Sequence, residues 1–273
     1  MDLTGLTTLI STVGFPIALT FMQRSGQIAP GRTAVAVNCP TSLRIERIAQ
    51  RIELIAQRFG VTVFRAEVGE ANVVNLAAKL RKEGYTVRFL GEGSNGGNIT
   101  HPATVRDPLN TIISIIKYAS LTGKSWEEMI AELPQFQTTS TDDALAKMKI
   151  QCTDHGKLKL CYEDVFKAEW EEKKAELAEK FGITSWREIN TIGTESYEGT
   201  GTEARKAGVK GGLKILFSNK EGKDIAFIWM RGSGTEPVFR ILADIESSNP
   251  EDERCLIQWQ HHLVEEADRR AIK

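Results

Sequence analysis

The sequence predicts an α/β protein: a mixed, mostly parallel sheet domain with crossover helices, followed by a smaller α+β domain with an antiparallel sheet. Between residues 32 and 90, short β-branched runs alternate with long helical patterns, as in strands joined by helical crossovers. After residue 210, a short turn joins two strand patterns as a hairpin would. The length of 273 residues also suits about two domains.

The first domain is predicted at residues 12–125. Its elements, in order, are a strand at 33–38, a helix at 43–59, a strand at 61–65, a helix at 70–82, a strand at 86–90 and a helix opened by Pro108. Gly60 and Gly84 stand where two of these helices should end. The first helix contains a seven-residue duplication, in which residues 44–50 recur with one change at 51–57. We expect the duplication to lengthen the helix, because seven residues rotate its apolar face by only about 20°.

The second domain is predicted at residues 140–273, after a polar break at 138–143. Its pattern comprises a charged helix at 163–181, a glycine-rich loop tract at 193–212, strands at 213–218, 225–230 and 238–246, and a last helix at 250–271. In the third of these strands, alternation places Arg240 on the face opposite to Phe239 and Ile241.

The amino-acid composition disfavours some classes of binding partner and some cellular locations. The 35 basic and 36 acidic residues nearly cancel, so we expect neither nucleic acid nor a membrane surface as a partner. The four cysteines form no Cys-x-x-Cys pair and no disulfide scaffold, which favours a cytoplasmic location. The apolar stretch at 3–21 is interrupted by polar residues, Gly14 and Pro16, so we expect neither a signal peptide nor a membrane span.

The segment 91–98, Gly-Glu-Gly-Ser-Asn-Gly-Gly-Asn, is the first in the chain whose residues suggest a ligand-binding loop. Its letters satisfy Gly-x-Gly-x-x-Gly, the dinucleotide fingerprint, but that motif requires a helix to begin at the loop. Here Ile-Thr-His-Pro follows instead, which disfavours NAD binding and an oxidoreductase. As a polyol-binding loop, the segment offers the carboxylate of Glu92 and the hydroxyl of Ser94 to sugar hydroxyls. A plain glycine-rich surface turn is the alternative.

The segment 231–240, Arg-Gly-Ser-Gly-Thr-Glu-Pro-Val-Phe-Arg, suits an anion. Its glycines allow successive backbone N–H groups to point into one concavity, and its arginines present planar forks that match phosphate oxygens. The predicted anion ligands are Arg231, Ser233, Gly234, Thr235 and Arg240. From the residues alone, phosphate, a carboxylate or no ligand remain open.

Together the two segments resemble a known family. Arg-x-Ser-Gly-Thr-Glu-Pro-x-x-Arg is similar to the phosphate loop of the α-D-phosphohexomutases, the phosphoglucomutase and phosphomannomutase family, and Gly-Glu-Gly-Ser resembles their sugar-binding loop. The resemblance runs from about residue 12 to the end and implies the third and fourth of the family's four domains, the C-terminal half. It includes Val68-Gly69, near a substrate-specificity turn. Asn95 and Glu70 depart from the common pattern, which leaves the identity of the hexose open.

The resemblance implies a phosphate-transfer reaction, and this sequence contains the substrate-binding loops for it but not the phosphate-transferring ones. Relatives interconvert hexose 1-phosphate and hexose 6-phosphate through a phosphoserine enzyme and a bisphosphorylated sugar, with magnesium held by Asp-x-Asp-x-Asp. Neither the serine loop, Thr-Ala-Ser-His-Asn-Pro, nor the aspartate motif occurs here. Asp142 and Asp143 suit a cap or a turn better than a metal, and His261 and His262 face different ways on a helix.

We therefore expect a substrate-binding half of a phosphohexomutase, which is an isomerase. Its partners are a hexose phosphate and the N-terminal half of the same enzyme. Magnesium is expected in the full-length enzyme and not in this chain, which is expected to be inactive alone. A stand-alone phosphosugar-binding module is the alternative.

Overall fold

The computed structural model describes residues 32–48, 61–92, 97–204, 211–233 and 238–273. The chain divides into two compact units, residues 1–135 and 136–273. Residues 49–57 of the predicted duplication lie outside the described residues.

The first unit contains a four-stranded mixed sheet in the order β2-β1-β3-β4. β1 pairs in parallel with β2 and with β3, and β3 forms an antiparallel hairpin with β4. The strands are β1 (Thr33–Asn38), β2 (Val61–Ala66), β3 (Phe89–Glu92) and β4 (Gly97–Thr100). The helices are α1 (Glu70–Lys82), α2 (Pro108–Thr122) and α3 (Trp126–Ala131), and residues 44–48 are also helical.

β1 lies at the centre of this sheet and is buried along its whole length. Because successive side chains of a strand point to opposite faces, Val35 and Val37 pack with α2, α3 and residues 45 and 48, while Ala34 and Ala36 pack against α1. Helices therefore cover both faces of the sheet, as the sequence predicts for a mostly parallel sheet. The predicted mixed α/β class is confirmed for this unit.

The second unit is built on a largely antiparallel sheet with strand order β5-β11-β10-β9-β7-β8, and β6 also pairs with β11. Its strands are β5 (Gln137–Thr138), β6 (Lys147–Met148), β7 (Ser185–Ile192), β8 (Glu195–Glu198), β9 (Gly212–Ser218), β10 (Asp224–Gly232) and β11 (Phe239–Ile245). Its helices are α4 (His155–Phe181), α5 (Gly201–Ala204) and α6 (Pro250–Ala271), preceded by a 3₁₀ turn at Ala144–Ala146. The predicted α+β class with an antiparallel sheet is confirmed.

Helices α4 and α6 pack on one face of this second sheet. An aromatic cluster fills the contact, with the Phe166 ring 4.8 Å from Trp186 and 5.7 Å from Trp259, centroid to centroid. Both helices begin at side-chain caps: Asp154 accepts hydrogen bonds from two backbone N–H groups of α4, and Asn249 accepts one from α6.

Two predicted boundaries were wrong, and one strand was missed. The strand predicted at 86–90 lies at 89–92, with only an isolated bridge at Thr86. α4 begins eight residues before the predicted 163, at the Asp154 cap. β7 was missed because Glu188 and Asn190 lie opposite core residues of β9 and are themselves buried, so the strand lacks an apolar alternation.

No helix of the described residues has the length and apolar character that a membrane crossing requires.

Candidate functional site

The strand order of the first sheet marks where a ligand should bind. The chain passes from β1 to β2 on one side and then to β3 on the other, so the order reverses between β1 and β3. In open α/β sheets, ligands bind beyond the carboxyl ends of the strands at such a switch point. Val37 pairs with Gly91, so the next residues, Asn38 and Glu92, end these two strands side by side.

Glu92 is a buried carboxylate with built-in partners. Its side chain is 9% exposed, and its Oε2 lies 3.2 Å from Nη1 of Arg106. Burial raises the pKa of the Glu92 carboxyl, while Arg106 and a hydrogen bond from the Gly69 backbone N–H act to lower it. A carboxylate at this edge can accept hydrogen bonds from sugar hydroxyls, as the sequence predicts.

Asn38 is a polar residue of this edge that the sequence analysis missed. It is buried, its Oδ1 accepts a hydrogen bond from Oγ1 of Thr41, and among the described residues its Nδ2 has no hydrogen-bond partner. A buried donor without a partner is costly and marks a place where a ligand or water can bind. The available signal was a polar residue that ends an otherwise apolar strand.

The turn after β1 is held rigidly. Nη1 of Arg65 donates to the backbone carbonyl oxygens of Asn38, Cys39 and Thr41, at 3.2, 2.9 and 2.6 Å, while its Nε and Nη2 contact the carboxylate of Glu46. The edge beside Glu92 is therefore preorganised by one guanidinium, which lowers the entropic cost of ordering it around a ligand.

The dinucleotide interpretation of residues 91–96 finds no support in this geometry. β3 pairs antiparallel with β4, with Glu92 opposite Gly97, so the described element that follows residues 93–96 is a strand and not a helix. The fingerprint needs a helix amino terminus to meet the pyrophosphate. Ser94, the predicted second sugar ligand, lies outside the described residues.

The second unit places Arg231 directly opposite Arg240. The two arginines pair across the antiparallel strands β10 and β11, so their side chains leave the same face of the sheet, and both are half-buried. Phe239 and Ile241 belong to the core cluster on the other face, as the alternation in the sequence predicts. Like charges directly opposite one another destabilise a sheet, and a bound anion offsets that cost.

The described ends of β10 and β11 are joined by a backbone hydrogen bond, and Gly232 of β10 lies against a helix. The backbone N–H of Ser233 donates to the carbonyl oxygen of Val238 at 2.9 Å. At Gly232 there is no room for a side chain, because a Cβ atom would lie 2.3 Å from Cε1 of His155, at the start of α4. Gly234 and Thr235, two predicted phosphate ligands, lie outside the described residues.

Lys147 is a second residue that the sequence analysis missed. It lies in β6 directly opposite Arg240, so Arg231, Arg240 and Lys147 form a row of three basic residues across neighbouring strands. We call these three residues the basic row. The pairing joins residues more than ninety positions apart, and no local pattern in the sequence signals it.

The aspartate pair and the histidine pair that the sequence analysis judged unsuited to a metal contact other groups. Asp143 caps the 3₁₀ turn through the backbone N–H of Leu145, as predicted, and also pairs with Arg254 at 2.7 Å. His261 lies near Glu265, whereas His262 lies near Glu169, so the two imidazoles have different partners.

The described residues do not fit a magnesium site. They contain no cluster of three His, Cys, Asp or Glu side chains that could hold a metal ion.

Comparison with known proteins shows which family the first unit is similar to. Residues 14–136 match the family model of the phosphoglucomutase/phosphomannomutase α/β/α domain III. Residues 14–136 are therefore similar to domain III of the phosphoglucomutase/phosphomannomutase family. This finding confirms the resemblance that the two loops indicated, and the α/β/α description agrees with the two helical layers around the first sheet. Domain III therefore includes the switch point at Asn38 and Glu92.

A phosphoglucomutase/phosphomannomutase of Thermococcus kodakarensis is 28% identical over 217 residues, which are 78% of this chain and 35% of that protein. A match of this length is longer than either unit, so it includes residues of both. The chain spans about a third of the length of that relative.

Two solved structures are also similar to the chain. A phosphoglucomutase/phosphomannomutase family protein from Burkholderia thailandensis is 13% identical, with a TM-score of 0.47 over 91% of this chain and 42% of that one. An N-acetylphosphoglucosamine mutase from Aspergillus fumigatus, in complex with GlcNAc-6P and magnesium, is 11% identical, with a TM-score of 0.49 over 94% of this chain and 44% of that one.

Proposed function

We propose that this chain is the substrate-binding half of a phosphohexomutase, an isomerase that interconverts hexose 1-phosphate and hexose 6-phosphate. The observation that carries the proposal is the direct pairing of Arg231 with Arg240 beside a glycine-rich loop. Two guanidinium groups on one face suit a phosphate dianion, because each can donate two parallel hydrogen bonds to its oxygens.

The two loops take different parts of the substrate in this proposal. Glu92 and Ser94 hold ring hydroxyls, and the nonreacting phosphate is held by Arg231, Ser233, Gly234, Thr235 and Arg240. Lys147 adds a third positive charge, which attracts the phosphate, and Asn38 offers its Nδ2 donor at the sugar edge. Orienting a substrate in this way contributes up to about 7–11 kcal/mol to a complete site.

We assign these roles to two domains, at residues 12–125 and 140–273. Phosphate transfer itself needs a serine loop and an aspartate motif that these 273 residues do not contain. The proposal therefore places the phosphoserine and the magnesium on the N-terminal half of the same cytoplasmic enzyme, which is this chain's protein partner.

A binding experiment tests the proposal. Glucose 6-phosphate is titrated into the chain while backbone amide shifts are followed by NMR, and we expect saturable shifts at millimolar to high micromolar concentration. Arg231→Ala should abolish them. Arg270→Ala is the matched control, because Arg270 is an exposed arginine of the same unit that pairs with Glu266 near the end of α6. Equal binding by the parent and Arg231→Ala would refute the phosphate loop.

An activity experiment tests whether substrate binding and phosphate transfer belong to separate halves of the enzyme. With glucose 1-phosphate or mannose 1-phosphate, the chain alone should show no multiple turnover, since it has no phosphate-transferring serine in a family-like loop. Adding the N-terminal half of a family member should restore turnover. A stand-alone phosphosugar-binding module, the second candidate, would bind the same ligands and stay inactive after that addition.

A further inference from the structure

Arg106 joins the two segments that surround Glu92. Its Nη1 lies 3.2 Å from Oε2 of Glu92, and its Nε lies 3.7 Å from Oε1 of Glu70. Glu70 is the first residue of α1 and follows the turn at Val68–Gly69, while Glu92 ends β3. One guanidinium therefore bridges carboxylates from two separate segments at the carboxyl edge of the first sheet.

Hydrogen bonds of the backbone around Arg106 fix its position. Its own backbone N–H donates to Glu70 Oε1, and the N–H of Asp107 donates to the carbonyl oxygen of Asn98 at 2.8 Å. Its aliphatic chain lies against Gly97, where a Cβ atom would stand only 2.2 Å from Cδ of Arg106. Because Gly97 has no side chain, the chain of Arg106 occupies space that a larger residue at position 97 would fill.

We propose that Arg106 is the positioning residue of the sugar-binding edge, which holds Glu92 in one orientation as a charged acceptor for ring hydroxyls. This inference rests on the proposed function and adds to it a residue that acts through Glu92. A carboxylate has about four lone-pair sites. Among the described residues, Arg106 and the Gly69 N–H take one each, which leaves two for a pair of neighbouring hydroxyls.

The charge on Arg106 matters because Glu92 is buried. Desolvation favours the neutral carboxyl, which is a weaker acceptor for hydroxyls, and a nearby guanidinium favours the ionised form. Glu70 acts in the opposite sense. The adjacent strands β1 and β4 contain no charged residue, and the carboxylate of Glu67, after β2, accepts from the Val68 N–H.

The test compares Arg106→Gln and Arg106→Lys with the parent in titrations with glucose 6-phosphate and with inorganic phosphate. Arg106→Gln should weaken glucose 6-phosphate binding about tenfold at neutral pH, the effect of losing one charge-assisted contact. As the pH is lowered, the affinity of Arg106→Gln for glucose 6-phosphate should begin to fall at a higher pH than the affinity of the parent does. Arg106→Lys should restore the parental pH profile with intermediate affinity. Inorganic phosphate should bind all three alike.

A second variant tests the packing that places Arg106. Gly97→Ala puts a methyl group 2.2 Å from Cδ of Arg106 and 2.7 Å from the backbone oxygen of Glu92, so it should shift the pH profile in the direction of Arg106→Gln, and the Arg106→Lys variant, which leaves that backbone unchanged, separates loss of charge from backbone displacement. The titration of the Glu92 carboxyl, followed by its carbon-13 shift, should move to higher pH in both variants.

The outcomes distinguish the two proposals. If the parent binds neither glucose 6-phosphate nor inorganic phosphate, the proposed function fails. If the parent prefers glucose 6-phosphate while Arg106→Gln keeps its affinity, pH profile and Glu92 titration unchanged, the role of Arg106 is refuted and the proposed function stands.

Discussion

The two loops arrange charge in opposite ways. At the edge of the first sheet, the carboxylates of Glu92 and Glu70 flank the guanidinium of Arg106, so charges of opposite sign lie within 4 Å. In the second sheet, the basic row sets three charges of the same sign on neighbouring strands. The first arrangement pairs one guanidinium with two carboxylates and offers acceptors to a neutral polyol, whereas the second concentrates positive charge and suits an anion.

Under the proposed function, a phosphosugar is recognised by two kinds of site. Hydroxyl recognition needs a fixed acceptor, and Glu92 is buried and held by Arg106 and by the Gly69 N–H. Phosphate recognition needs concentrated positive charge at a surface, and we propose that the half-buried arginines with the exposed Lys147 provide it. The comparison predicts that variants of the two loops have separable effects.

The largest effect is expected from removing both arginines of the basic row. In the double variant Arg231→Ala with Arg240→Ala, affinities for glucose 6-phosphate and inorganic phosphate should each fall by about 100-fold or more, since each charge-assisted contact contributes about 1.5–3 kcal/mol. Calorimetric titration measures both ligands. Loss of glucose 6-phosphate binding with intact inorganic phosphate binding would contradict the assignment of the row to phosphate.

Glu92→Gln should separate the two loops. We expect glucose 6-phosphate affinity to fall about tenfold, towards that of inorganic phosphate, because a neutral amide is a weaker acceptor for two hydroxyls. Inorganic phosphate should bind as in the parent, by the same titration. A parallel fall in both affinities would mean that the two loops are not functionally distinct.

A smaller effect is expected at Lys147. Because its side chain is exposed, Lys147→Ala should weaken inorganic phosphate binding by about two- to fivefold, the range of a solvent-screened charge pair. The difference from the parent should shrink at 0.5 M salt. Lys149→Ala in the same segment is the control. A salt-independent effect would show that Lys147 acts through structure rather than charge.

The smallest effect concerns stability. Burial raises the pKa of Glu92 in the folded state, so the folded protein binds this proton more tightly than the unfolded chain. This contribution favours folding below the unfolded pKa and is lost as pH rises through the folded pKa. Glu92→Gln should therefore not lower the Tm at pH 7, as measured by calorimetry, although it weakens sugar binding. A clear drop in Tm would mean that pairing with Arg106 outweighs burial.

Local signals in the sequence were sufficient for much of the fold. The helices at 70–82 and 250–271 occur at the predicted bounds, because each has an apolar periodicity and clear terminal signals such as Gly84 or the Asn249-Pro250 cap. β7 escaped prediction because two buried polar residues interrupt its pattern.

The site was predictable only in part, for a physical reason. The two loops were recognisable because glycine, hydroxyl and arginine spacing is local in the sequence. The partners of those loops were not, since Lys147 meets Arg240 through strand register, and Arg106 meets Glu92 because the hairpin of β3 and β4 returns the chain to that edge. Asn38 likewise could not be recognised as a site residue from the sequence, because only the pairing of β1 with β3 places it beside Glu92.

The most direct measurement follows the guanidinium resonances of Arg231 and Arg240 by NMR during titration with glucose 6-phosphate and, separately, with inorganic phosphate. Both ligands should shift both resonances to saturation, and glucose 6-phosphate should do so at the lower concentration. If neither guanidinium responds to either ligand while other arginines shift, the basic row does not bind phosphate and the account is contradicted.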